Sequence, residues 1–269
     1  MSTSKNQRIS YNPTFSKIRE NLSFILVEPE TEGNIGATAR ALKTSGFKNL
    51  ILVNPKFEAD QPQVQWMAHR SEEILKKAQI VSTLAEAIND KRLVIATTQR
   101  KRHFKFPLYS PEEISEKIET IAVSNPVAIV FGRETNGLNN KELLQCHIHS
   151  TILTATQNPS LNLAQSVMLY AHTFFRLQNV KESRYTYDLA SKYELEKFYD
   201  HLKKSMKDVG FIPRDSYDDF ITRFKRLIGR SLAEKRDVRL LHKLLQIYES
   251  RISDLENQSG TGGKKKEIY

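Results

Sequence analysis

A single cysteine, Cys146, stands in a chain of 269 residues, so no intramolecular disulfide framework is possible and packing has to hold the fold together. Long apolar runs are missing as well. The most apolar stretches, LSFILVE at 22–28 and PVAIVFG at 126–132, fall far short of the ~20 residues that cross a bilayer. The opening MSTSKNQRISYNPTF has no apolar core of signal-peptide length, and a cytoplasmic protein without a membrane partner is expected. Acidic residues are the scarcer charge, 31 against 41 Lys and Arg, for a formal charge of +10. That excess favours a polyanionic partner, most simply nucleic acid.

What is present is a regular alternation. Short runs rich in β-branched residues predict strands over 22–27, 50–54, 92–97, 127–131 and 148–153. Helical spacing predicts helices over 34–45, 63–78, 84–89, 111–122 and 161–177, with Thr83 and Glu86 spaced as a capping box. Strand and helix in strict turn imply an α/β fold with a mostly parallel sheet covered on both faces. Near residue 180 the strand pattern stops, and helical periodicity continues over 193–209, 217–228 and 233–255. The organisation expected is an N-terminal extension (1–20), an α/β domain (21–180), a linker (181–190), a small helical domain (191–257) and a disordered Gly- and Lys-rich tail (258–269).

Three polar segments sit where a strand ends and a helix begins, the place where open α/β sheets build their sites. In the first, Gly33-Asn34-Ile35-Gly36 opens a helix that carries Arg40 two turns on. The third glycine and the acidic ribose clamp of a dinucleotide fold are both missing, which argues against a standard Rossmann site; a surface arginine beside a capping asparagine is the plain alternative. The second, Phe131-Gly132-Arg133-Glu134-Thr135-Asn136-Gly137-Leu138, ends an apolar strand and sets Arg133 beside Glu134, read either as chemistry or as a solvated ion pair. In the third, Ser160-Leu161-Asn162-Leu163, Ser160 is a candidate N-cap. The stripe Leu163, Val167, Tyr170, Phe174, Leu177 that follows has the spacing of a packed face.

Taken in order, Asn34-x-Gly36-x-x-x-Arg40, Phe131-Gly132-x-Glu134-x-x-Gly137-Leu138 and Ser160-Leu161-Asn162-Leu163-Ala164 resemble the motifs of the SPOUT-class RNA 2'-O-ribose methyltransferases, TrmJ branch. The resemblance covers about 21–180 and extends weakly into the helical domain. It implies a parallel-sheet SPOUT fold with a C-terminal trefoil knot, against the usual avoidance of knots, and a homodimer whose active site is completed across the interface. It also implies S-adenosyl-L-methionine as cofactor, held largely by backbone groups of Thr97, Thr98, Gln99, Gly132, Ile152, Ser160, Leu161 and Asn162. Arg40 is then the catalytic candidate, with Asn34, Glu134, Ser160 and Asn162 as its orienting partners and Arg133 touching substrate RNA or pairing with Glu134.

Charge adds candidates for RNA contact. Arg100, Lys101, Arg102 and Lys105 stand beside the aromatics Phe104 and Phe106 just past the third predicted strand, and Arg226 and Arg230 lie in a basic helical stretch with Arg223, Lys225, Lys235, Arg236, Arg239 and Lys243. Solvated loops and helix faces are the competing readings. Cys146-His147-x-His149 has metal-ligand residue types, but alternation on a strand points Cys146 away from both histidines, and no metal is expected. His69-Arg70 departs from the small, glycine-containing run of the family. The function implied is a tRNA 2'-O-methyltransferase acting on cytidine or uridine at anticodon-loop nucleotide 32. A ribosomal RNA methyltransferase and a non-catalytic RNA-binding protein of the same fold remain open.

Overall fold

Strands whose side chains are buried on both faces read as unbroken apolar runs, because helices cover the sheet above and below. In the computed structural model, which describes residues 11–57, 61–99, 106–155, 161–179 and 187–259, β1 (Leu22–Val27) and β6 (Val127–Phe131) are such strands, buried along their whole length. They lie at the centre of a sheet completed by β2 (Asn49–Val53), β3 (Gln79–Val81), β4 (Leu93–Thr97), β5 (Leu108–Tyr109) and β7 (Ile148–Ser150). The order is β3-β2-β1-β6-β4-β7-β5, and every pairing is parallel. All strands therefore exit at the same end, with the chain order reversing beside β1.

The period of two along each strand separates two cores. Phe24, Leu26, Leu52, Ile95, Ile129 and Phe131 face one side, under α1 (Pro13–Asn21), α2 (Glu32–Thr44), α3 (Pro62–Ala68), α4 (Glu72–Lys76), α6 (Pro111–Ile121) and α8 (Leu163–Phe175). Ile25, Val27, Ile51, Val94, Ala96 and Val130 face the other, under α5 (Leu84–Ile88) and α7 (Asn140–Leu144). Residues 13–20, expected to belong to an extension, form α1, whose Asn12 N-cap and Pro13 start it and whose Phe15 and Ile18 are fully buried. The single helix predicted over 63–78 is two, because His69 and Arg70 both adopt left-handed backbone, φ +38° and +66°.

The helical domain comprises α9 (Lys192–Asp208), α10 (Tyr217–Ser231) and α11 (Lys235–Ser259), packed around Leu195, Phe198, Leu202, Ile221 and Val238. It docks where the strands begin. Lys192 N donates to Lys91 O at 3.3 Å, Arg92 pairs with Glu194 at 2.8 Å, and Leu189 N donates to Asn125 Oδ1 at 3.0 Å. Gly229 lies so close to the His147 carbonyl that a Cβ would overlap it. No helix among the described residues is long and apolar enough to cross a membrane. Residues 156–160, part of the expected knot, and 260–269, most of the expected tail, lie outside the described residues.

Candidate active site

At the exits of β4, β6 and β7 the backbones diverge and leave a cavity of about 350 Å³, within the ~300–1,000 Å³ usual for small-ligand sites. Thr97, Thr98 and Gln99 line it from β4, Gly132 to Leu138 from β6, Thr151 and Ile152 from β7, and Leu161, Leu163, Ser166 and Tyr170 from the start of α8. Its rim is tied down by local hydrogen bonds. Gln99 Nε2 donates to Ile152 O at 2.7 Å while Gln99 Oε1 accepts from Thr151 Oγ1 at 3.1 Å, so one side chain clasps two strand exits. Thr97 Oγ1 donates to Val130 O at 2.9 Å. On the floor, Ser150 Oγ donates to Tyr109 O at 2.8 Å and meets the Tyr170 hydroxyl at 2.7 Å, and burial pushes the Tyr170 pKa up.

Two glycines shape the wall. A Cβ on Gly132 would overlap the backbone of Gly137 and Leu138, so the turn folds this tightly only without a side chain. Gly137 has φ +65°, and nothing lies within 4 Å of where its Cβ would be, which leaves bare backbone facing the cavity.

Beside the cavity the three polar segments meet. Asn162 Nδ2 donates to Asn34 Oδ1 at 2.8 Å, and Asn34 Nδ2 donates to Glu134 Oε1 at 2.8 Å. The Glu134 carboxylate also accepts from Glu30 N at 2.8 Å and Thr31 N at 3.0 Å, just before α2, where a negative charge opposes the helix dipole favourably. Asn162 is in addition the N-cap of α8, accepting from Ala164 N at 2.9 Å and Gln165 N at 3.3 Å; the cap falls there and not on Ser160, which lies outside the described residues. Arg40 is on the same helix as Asn34, exposed to solvent.

Arg133 does not pair with Glu134. Its guanidinium forks onto Glu142 at 2.9 and 3.1 Å and reaches Glu28 Oε2 at 2.9 Å, a bidentate arrangement that fixes the turn. The Arg133 hydrogen bond holds the Glu28 carboxyl below its ordinary pKa, and the two carboxylates raise that of Arg133. With these partners engaged, Arg133 is a brace of the wall.

The chain belongs to the SpoU methylase family. The model of that family matches residues 21–172, and the tRNA methyltransferase TrmJ C-terminal domain matches residues 193–257. The tRNA (cytidine/uridine-2'-O-)-methyltransferase TrmJ of Yersinia pestis is 36% identical over 259 residues, covering 92% of this chain and 99% of that protein. An uncharacterized tRNA/rRNA methyltransferase of Haemophilus influenzae is 36% identical over 87% of this chain and 96% of its own length. The crystal structure of TrmJ from Z. mobilis superposes with a TM-score of 0.70 at 29% identity, over 84% of this chain and 98% of that one. These family members share both the methylase domain and the helical domain with the chain.

The other charged candidates fall apart from this centre. Arg100, Lys101, Arg102 and Lys105 lie outside the described residues. Arg226 is half-buried in α10 with its guanidinium 5.6 Å from the Phe106 ring, and Arg230 is exposed one turn on. The basic stretch is more compensated than its own sequence implies. Arg223 pairs with Asp215, Lys225 with Glu196 at 3.0 Å, Lys235 with Asp188 at 2.9 Å and Arg236 with Glu234 at 2.6 Å. Arg230, Arg239 and Lys243 are exposed and form no ion pair among the described residues. Cys146 Sγ donates to Glu142 O, His147 Nδ1 accepts from Val94 N at 2.9 Å and His149 Nε2 lies 3.1 Å from Leu143 O. Tyr170, Ser150 and Ser166 line the cavity unannounced by the sequence: the Tyr170 spacing reads as packing, and Ser150 carries no local signal.

Proposed function

We propose that the chain is an S-adenosylmethionine-dependent tRNA 2'-O-ribose methyltransferase acting on cytidine or uridine at anticodon-loop nucleotide 32, working as a cytoplasmic homodimer. The observation that carries the reading is the Asn162–Asn34–Glu134 chain, which links all three polar segments beside one cavity. A bare backbone wall at Gly132 and Gly137, apolar side chains at Leu138, Ile152 and Leu161, and polar rims at Thr97 and Thr151 suit a cofactor that combines a flat base with a charged amino-acid tail.

When bound, the cofactor supplies an electrophilic methyl group on sulfur. Transfer of that methyl to the ribose 2'-oxygen would release S-adenosylhomocysteine and leave the hydroxyl proton to water or a neighbouring phosphate. In-line attack demands positioning and relief of charge on oxygen. Arg40, whose guanidinium offers hydrogen-bond donors and no acceptor, orients the hydroxyl or its phosphate. Asn34, Glu134 and Asn162 are hydrogen-bonded together at the start of α2, the helix that carries Arg40.

The test is to incubate the protein with S-adenosylmethionine and unmodified tRNA and to map 2'-O-methyl groups by mass spectrometry. Methyl transfer to nucleotide 32, reduced about 10²-fold in kcat by Arg40→Ala, supports the reading. Absence of transfer to tRNA, or transfer to ribosomal RNA in its place, overturns it.

A further inference from the structure

Glu30 lies in the turn between β1 and α2 and does not itself line the cavity. Its carboxylate nevertheless holds a piece of the cavity wall. Thr135, a lining residue, donates to it twice, from its backbone N to Oε2 at 3.0 Å and from its hydroxyl to Oε1 at 3.1 Å. The exchange is reciprocal: Glu30 N donates to Glu134 Oε2 at 2.8 Å, so each glutamate accepts from the other's stretch of backbone. Three consecutive wall residues are strapped in this way to one turn, Arg133 to Glu28, Glu134 to Glu30 N and Thr31 N, and Thr135 to the Glu30 side chain. Arg133 and Glu134 have further anchors in Glu142 and Asn34. The Thr135 backbone N–H rests on Glu30.

This clasp differs from a solvated surface ion pair. Glu30 is half-buried, and the two hydrogen bonds from Thr135 are the leading cause that holds its carboxyl below the ordinary carboxylate range, which keeps it an acceptor at neutral pH. Lys56 also reaches Oε1, at 3.3 Å, but is exposed, and a pair of that kind contributes little. The hydrogen bonds to Thr135 are therefore what Glu30 supplies. We propose that Glu30 is a positioning residue for the cofactor, setting the Glu134–Thr135 wall at the spacing that S-adenosylmethionine fills, a role that rests on the methyltransferase reading of the cavity. Without it the wall has to be ordered on binding, and that ordering costs affinity.

The test compares Glu30→Ala and Glu30→Gln in the full chain. Glu30→Ala should raise both the calorimetric Kd and the KM for S-adenosylmethionine about tenfold, with kcat at saturating cofactor, KM for tRNA and the thermal unfolding midpoint close to those of the parent. Glu30→Gln should restore most of the loss, because the amide oxygen can accept from Thr135 N while the amide nitrogen donates to the Thr135 hydroxyl. A Glu30→Ala protein with the parent's cofactor affinity would overturn the proposal alone. So would a rise in both KM values with a lowered unfolding midpoint, which is general loosening, or a Glu30→Gln protein as impaired as Glu30→Ala, which would make charge and not hydrogen bonding the cause. A parent chain that binds no S-adenosylmethionine would defeat the methyltransferase reading and the proposal with it.

Discussion

Asn162 donates to Asn34 across 128 residues of chain, at 2.8 Å, and that one hydrogen bond joins the cap of α8 to the first turn of α2. Both amides are fully engaged in orientation: Asn162 Oδ1 faces the α8 backbone and Asn34 Nδ2 faces Glu134. The relay has a direction, ending on a carboxylate that accepts from two backbone N–H groups.

Replacing that terminus should therefore be costly. Glu134→Gln turns one of the accepting oxygens into a donor facing donors, and a loss of about 1–3 kcal/mol is expected, read as a lower urea midpoint. Methyl transfer should fall with it. A variant as stable and as active as the parent would show that the relay is ornamental.

Gly132→Ala introduces a Cβ into the backbone of Gly137 and Leu138. The turn has to open, and S-adenosylmethionine affinity by titration calorimetry should drop at least tenfold. The change is steric, so changing pH or salt should not rescue it.

His147 is buried beneath α10, and desolvation pushes its imidazole down to about 3. Its ordinary value is ~6.5. Below that, the unfolded chain takes up a proton that the folded one refuses, so the stability contribution is complete above ~6.5 and is lost as pH falls toward 3. Unfolding free energy should rise with pH across this window, by at most ~1.4 kcal/mol per unit from this group. His147→Asn, which can keep an acceptor for Val94 N, should flatten the slope; an unchanged slope would refute the assignment.

Gly229→Val places side-chain atoms against the His147 carbonyl and should lever α10 off the sheet. The cavity lies at the other end of the strands, so S-adenosylmethionine affinity should hold while tRNA affinity, measured by filter binding, weakens about tenfold. Equal loss of both would mean that the helical domain shapes the cavity itself.

Burial pushes the Cys146 thiol up to about 12. At pH 8 the native protein should resist a disulfide reagent such as Ellman's, reacting with one equivalent only in denaturant. Fast labelling of the native state would show that α7 opens readily.

Much of this was legible from local pattern. The strands at 22–27 and 127–131 carry their own period, and the interior helices carry their caps. Edge strands β3 and β5 have three and two residues, too few for a period to show. The break at His69 and Arg70 has no glycine or proline to announce it, and the apolar spacing of Val64, Ala68 and Leu75 runs straight through it. At the site, the residue types of Asn34, Glu134 and Asn162 mark them as candidates, yet who holds whom depends on contacts 100 and 128 residues apart. Arg133 shows the same limit. Its neighbour in sequence is Glu134, but its partners are Glu28, 105 residues earlier, and Glu142, and only the folded chain reveals the exchange.

The helical domain grips the beginnings of the strands while the cavity opens at their ends. A five-residue strand such as β6, at ~3.3 Å per residue, separates the two by about 17 Å. A free nucleotide is too short to touch both. The molecule thus carries a built-in ruler: an RNA that engages both regions must be tall enough to reach around the sheet, and fragments shorter than that height should lose the benefit of one of the two grips.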